Sequence, residues 1–102
     1  MIYELRTYTL YPGKVPEFLE RLGKAIPIRE KYSKPLAVWY TEIGELNQIV
    51  SLWPYDSLAH RTQVRLGSTQ DPEWQKVVDQ DRAISMKWEN KILIPADFSP
   101  LK

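Results

Sequence analysis

Glu4, Arg6 and Tyr8 occupy alternate positions of one stretch, Ile2 to Leu10, that is dense in β-branched and aromatic residues. Alternate side chains of a strand share a face, so a carboxylate, a guanidinium and a phenol stand in a row. In a shielded cavity, Glu4 would serve as a base with a raised pKa and Arg6 would hold a carboxylate or an enolate. Tyr40 and Glu42 alternate in the same way on a second extended stretch and could join the row from a neighbouring strand. The structural alternative is as specific. A buried charge needs a partner, and Glu4 with Arg6 would form an ion pair fixing the register of two subunits. Of the two readings, the ion pair at an interface is preferred.

His60 is the only histidine. On a helix it would act as a base or ligate haem iron, and the competing reading is a solvated histidine beside Arg61 and Arg65. One helical turn separates those two arginines, which would clamp an anion or line a solvated face. Trp39, Trp53, Trp74 and Trp88 suit pocket walls, core or interface anchors alike. No second histidine and no cysteine completes a zinc site, so no metal is expected. No nucleophile elbow, phosphate loop or dinucleotide fingerprint occurs.

These residues depend on elements legible from pattern. Ile2 to Leu10 is the first strand, closed by Pro12-Gly13. Val15, Phe18, Leu19, Leu22 and Ile26 recur at helical spacing opposite Glu17, Glu20, Arg21 and Lys24, an amphipathic helix. Pro16 suits its first turn, and Pro27 is expected to end or kink it near Ala25. Leu36 to Ile43 and Asn47 to Trp53 make a hairpin around Gly44, with Pro54 expected to stop the ladder. Asp56 or Ser57 caps a helix with Leu58, Ala59, Thr62 and Leu66 inward and Gly67 as its C-terminal left-handed residue. Asp71-Pro72-Glu73 starts another helix, with Trp74, Val77 and Val78 inward. Ile84 to Ile94 is the last strand. With right-handed crossovers, β-α-β-β-α-(α)-β gives an α+β, ferredoxin-like βαββαβ fold with a four-stranded antiparallel sheet and the first strand inside it.

Helices cover only one face of such a sheet, and neither face of the first strand is plainly polar. The surplus apolar face predicts a homodimer with sheets packed together, a dimeric α+β barrel, with higher assembly open. The 102 residues make a single domain, and a net charge of +1 argues against nucleic acid as a partner. No signal peptide or membrane-spanning run is evident, so membrane insertion is not expected and a cytoplasmic location is.

Several stretches resemble the NIPSNAP family: Tyr3-Glu4-Leu5-Arg6-Thr7-Tyr8, Pro12-Gly13-Lys14, Glu17-Phe18, Trp39 to Gly44, Asn47-Gln48, Leu52 to Leu58, Asp71-Pro72-Glu73-Trp74 and Glu89 to Leu93. They run in order through nearly the whole chain. The resemblance implies the same dimeric α+β barrel, with no defined biochemical activity. Its wider superfamily holds cofactor-free oxygenases, isomerases and haem-binding proteins, which implies two alternatives. One is an enzyme without cofactor acting on a small apolar or aromatic metabolite through Glu4, Arg6 or His60. The other is a haem binder through His60. Tyr8, Trp39, Tyr40, Glu42, Trp53, Arg61 and Arg65 are the candidate pocket residues for a small-molecule ligand.

Overall fold

The computed structural model describes residues 1–102. Strand β1 (Ile2–Leu10) is followed by α1 (Val15–Arg29), β2 (Ala37–Tyr40), β3 (Gln48–Tyr55), α2 (Leu58–Thr69), α3 (Pro72–Ala83) and β4 (Ser85–Leu93). The strands form one antiparallel sheet in the order β2-β3-β1-β4. This is the expected α+β, ferredoxin-like arrangement, with β1 paired along both edges and a register shift at Thr9/Leu10 against β4.

All three helices lie on the face of β1 that carries Glu4, Arg6, Tyr8 and Leu10. Leu10, Phe18, Leu22, Ile49 and Ile84 form one core cluster, and Trp53, Tyr55 and Val64 form a second. Ile26 packs against both. Burying each large apolar side chain contributes roughly 1.5–3 kcal/mol.

Three readings of proline and glycine are corrected. Of the two outcomes expected at Pro27, termination near Ala25 is excluded: α1 continues through Pro27 to Arg29. Proline inside a helix costs about 3 kcal/mol, and tertiary contacts on the turn it begins offset that cost. Arg29 is buried, lies 4.6 Å over the Trp53 ring and donates to Tyr55 Oη and Ser33 Oγ. Pro54 does not stop β3, which runs to Tyr55 with Pro54 opposite Tyr3. The Leu36 and Thr41 amides donate to the Leu52 and Gln48 carbonyls, so even-numbered β3 residues direct their backbone groups toward β2. Ladder pairing with β2 stops at Leu52, so the donor Pro54 lacks would have met no strand.

Gly67 is not a terminal left-handed residue. It lies inside α2, where an added Cβ would stand 2.9 Å from the Tyr32 ring. The face of α2 is corrected with it. Val64 and Ser68 are buried, whereas Leu58 and Leu66 are exposed. The helix is rotated inward on its small residues because Arg61 reaches a buried carboxylate, described below. Other signals stand as expected. Ser57 caps α2, and Asp71 caps α3 ahead of Pro72. Strand β2 is shorter than the expected Leu36 to Ile43, because Asn47 and Gly44 take positive φ values and curl residues 41–47 away from the ladder.

The opposite sheet face carries Tyr3, Leu5, Thr7 and Thr9 of β1, Val50 and Leu52 of β3, Trp39 of β2, and Lys87, Glu89 and Lys91 of β4. No helix covers it. Only the tail after β4 touches it, where Pro95, Ser99 and Leu101 approach Tyr3 and Leu52 around a recess of about 160 Å³.

Candidate functional site

The helices do not close fully onto the sheet. A cavity of about 270 Å³ lies between β1, β3 and β4 below and the three helices above. Its floor is Arg6, Tyr8, Trp53 and Trp88. Phe18, Leu22 and Arg29 of α1 form one wall, and Arg65, Ser68 and Thr69 of α2 another. From α3 come Trp74, Gln75, Val78, Asp79, Asp81 and Arg82.

The aromatic lining is preorganised. The Tyr8 ring meets Trp88 edge-on at 5.1 Å and tilts against Phe18 at 5.4 Å, as aromatic quadrupoles prefer. Cations sit over these faces: Arg6 at 5.5 Å from Tyr8, and Arg82 at 5.0 Å from Trp88. Burial pushes the Tyr8 phenol above its ordinary pKa and outweighs the opposing charge of Arg6, so it stays protonated.

Two buried polar atoms have no hydrogen-bond partner anywhere in the chain: Arg6 Nε and Trp88 Nε1. Both belong to residues lining this cavity. Each is a donor, and an unsatisfied buried donor costs about 1–3 kcal/mol.

Beside Arg6 lies the most buried charge of the fold. Glu4 is fully shielded, and Arg61 of α2 donates to it through Nη2 at 2.8 Å and Nε at 3.2 Å. Burial raises the Glu4 pKa, but the Arg61 hydrogen bond and the charges of Arg6, Arg61 and Arg65 outweigh it and hold the carboxyl below its ordinary value. Glu4 is therefore a committed anion, poorly suited to act as a base. The expected Glu4–Arg6 ion pair at a subunit interface is corrected on both counts. The carboxylate pairs with Arg61, and both residues lie on the helix-covered face. At the other end of the cavity Arg21 holds Asp81 at 2.8 Å. Burial nevertheless leaves the Asp81 carboxyl above its usual range.

The remaining sequence candidates separate by position. Arg6, Tyr8, Trp53 and Arg65 meet in the cavity. Arg61 stands behind it on Glu4. His60 lies in the first turn of α2, outside the lining, with Nδ1 accepting from the Asp56 amide at 3.0 Å and its ring edge-on to Tyr55. Trp39 and Tyr40 are exposed on the edge strand, and Glu42 is exposed in the following turn. No three His, Asp or Glu side chains gather in a way that could hold a metal. Arg29, Asp79 and Asp81 were not anticipated. For Arg29 and Asp81 the sequence signal is a charged residue on the inward stripe of an amphipathic helix, as with Trp74, Val78 and Asp81 in α3, whereas Asp79 is exposed beside that stripe.

Comparison with known proteins follows the same boundaries. The NIPSNAP family model matches residues 3–100. The chain belongs to the NIPSNAP family. It is 37% identical over 94 residues to a protein NipSnap homolog from Dictyostelium discoideum, covering 92% of this chain and 42% of that one. Against mouse protein NipSnap homolog 3B it is 41% identical over 75 residues, covering 72% and 30%. This NIPSNAP domain thus spans less than half the length of these curated relatives. Among solved structures, a NIPSNAP family protein with unknown function from Agrobacterium tumefaciens superposes with a TM-score of 0.94 at 36% identity, covering 100% of this chain and 94% of that one. An uncharacterized NIPSNAP domain protein from Burkholderia xenovorans gives 0.91 at 35%, covering 98% and 99%. An antibiotic biosynthesis monooxygenase shares the fold, with a TM-score of 0.70 at 9% identity over 94% and 99%. No helix of this chain is long and apolar enough to cross a membrane.

Proposed function

We propose that this NIPSNAP domain is a small-molecule-binding module whose ligand enters the cavity between sheet and helices. The observation that carries this reading is the pair of buried, unpartnered donors, Arg6 Nε and Trp88 Nε1, of residues on the cavity floor. Buried donors are almost always satisfied, and a ligand that accepts from both removes their cost. Concave, largely aromatic walls with few convergent polar groups are what ligand sites share. The test is a fragment screen by ligand-observed NMR, followed by crystal soaking. Fragments seated against Arg6 and Trp88 support the reading. A crystal structure in which neighbouring side chains fill the cavity, with no fragment entering, refutes it.

Self-association through the open sheet face belongs to the same proposal. Leu5, Val50, Leu52 and Trp39 form an apolar patch beside the charged row Lys87, Glu89 and Lys91. A second copy would cover that patch with like surface, since a two-fold interface is self-complementary. It would complete the dimeric barrel without touching the helix-side cavity. A cytoplasmic location is proposed with it. The reading needs no cofactor and gives His60 no part.

A further inference from the structure

The charges around the cavity are unbalanced in one direction. Arg6, Arg29, Arg65 and Arg82 line it, against Asp79 and Asp81. Asp81 is already held by Arg21, and Asp79 is exposed on α3. Glu4, whose charge reaches Arg65, is committed to Arg61. Arg6 and Arg65 thus share a half-buried corner, and neither forms an ion pair within 4.0 Å. Burial, with the charges of Arg6 and Arg61, lowers the Arg65 pKa, the mark of a guanidinium short of counter-charge.

The two unpartnered atoms define the missing group further. Both are donors, so a cationic or donor-only ligand gains nothing from them. They are two, which matches the two oxygens of a carboxylate better than the three of a phosphate. The space limits the rest: about 270 Å³ equals roughly nine waters by their share of liquid volume, or an organic molecule of about ten non-hydrogen atoms. Its body would lie among Tyr8, Phe18, Trp74 and Trp88, where a flat ring finds both faces and edges.

We propose that the cavity binds a compact aromatic monocarboxylate, its oxygens accepting from Arg6 Nε–H and Trp88 Nε1–H, with Arg65 supplying further positive charge. This rests on the cavity being a ligand site and adds the ligand's class. Carboxylate recognition by a charged donor in a water-poor corner discriminates against a neutral isostere by about 10–100-fold.

The experiment is calorimetric titration with phenylacetate, phenylacetamide, 2-phenylethylammonium and ethylbenzene, which share one body and differ in the head group. Phenylacetate should bind about 10–100-fold more tightly than phenylacetamide, with the ammonium weakest. Arg6→Gln and Trp88→Phe should each weaken phenylacetate about tenfold or more and leave ethylbenzene within about threefold. Should Arg6→Gln fail to fold, Trp88→Phe, which keeps an aromatic ring in place, decides alone. Phenylacetamide or the ammonium binding as tightly as phenylacetate overturns the carboxylate class while leaving a ligand cavity. Phenylacetate binding that neither variant weakens overturns the assigned head-group site. If none of the four probes binds, the aromatic-carboxylate class fails, and the fragment screen then decides separately whether the cavity takes any ligand.

Discussion

The carboxylate of Glu4 and the guanidinium of Arg61 meet in a two-pronged contact of 2.8 and 3.2 Å, with Glu4 wholly shielded from solvent. This pair fastens α2, which also carries Arg65 one turn further along, to the central strand. Glu4→Gln leaves three guanidiniums around a neutral amide. The expected loss is about 2–4 kcal/mol of unfolding free energy, since breaking one side of a buried pair strands the other charge. Urea denaturation measures it. The double variant Glu4→Met with Arg61→Leu should recover at least part of the loss.

Gly67 and Tyr32 make a prediction whose sign reverses with background. In the native domain Gly67→Ala drives a methyl group to 2.9 Å from the Tyr32 ring, which cannot retreat freely because its hydroxyl donates to Asp71 Oδ2 at 2.7 Å. The expected cost is about 1–2 kcal/mol. With Tyr32→Ala already present, the same change should stabilise by about 0.5–1 kcal/mol through helix propensity. Thermal melts of the four proteins in the cycle give the coupling directly. Equal effects in both backgrounds would refute the contact.

Asp71 supplies the pH dependence. The Tyr32 hydroxyl, then the Lys31 ammonium, hold its carboxyl at about 2, down from 3.8. The native state thus binds its proton less readily than the unfolded chain. The resulting stability is fully present above the unfolded value and is lost as pH falls from 3.8 toward 2. Asp71→Asn keeps an oxygen to accept from the Glu73 amide but loses the charge. The variant should be less stable than wild type near neutrality, and the gap should narrow in acid. Chemical denaturation along a pH series checks both; a gap independent of pH would contradict it.

The open sheet face is tested at Leu5, which stands between Leu52 and Lys91 in the centre of the sheet. Light scattering of wild type at micromolar concentration should give twice the 12.0 kDa chain mass. Leu5→Lys should weaken association by at least about 100-fold, because two unpaired ammonium groups would face each other across the dimer. Its far-UV circular dichroism should not change. A wild-type protein already monomeric would remove the proposed dimer.

Legibility from sequence followed the range of the forces involved. Strand and helix identity came through because periodicity and capping are local: Ser57, Asp71 and the alternation of β1 each act within a few residues. Pro27, Pro54 and Gly67 were misjudged because their context is tertiary. Arg29 stacked on Trp53 keeps α1 going, the end of β2 excuses Pro54, and Tyr32 uses the space at Gly67. The two faces of β1 could not be told apart either, since Glu4 and Arg6 look like solvent residues until Arg61 arrives from another element. That one ambiguity placed Glu4 and Arg6 at an interface rather than beside the cavity. Trp88 was visible as an aromatic, but nothing local shows that its indole N–H lacks an acceptor.

The position of β1 also governs how the chain must fold. Tyr3 pairs with Pro54 on one side and Leu93 on the other, so the earliest strand to be made is completed only by residues half a chain and nearly a whole chain away. Closing such loops costs entropy before any contact rewards it. On the ribosome β1 can join β2 and β3 as a three-stranded sheet, but one of its edges stays open until residues 85–93 have been made. During that interval the alternating, aromatic-rich β1 is a free edge able to capture a neighbouring chain. Crowded synthesis should therefore be the condition under which this fold most needs a chaperone.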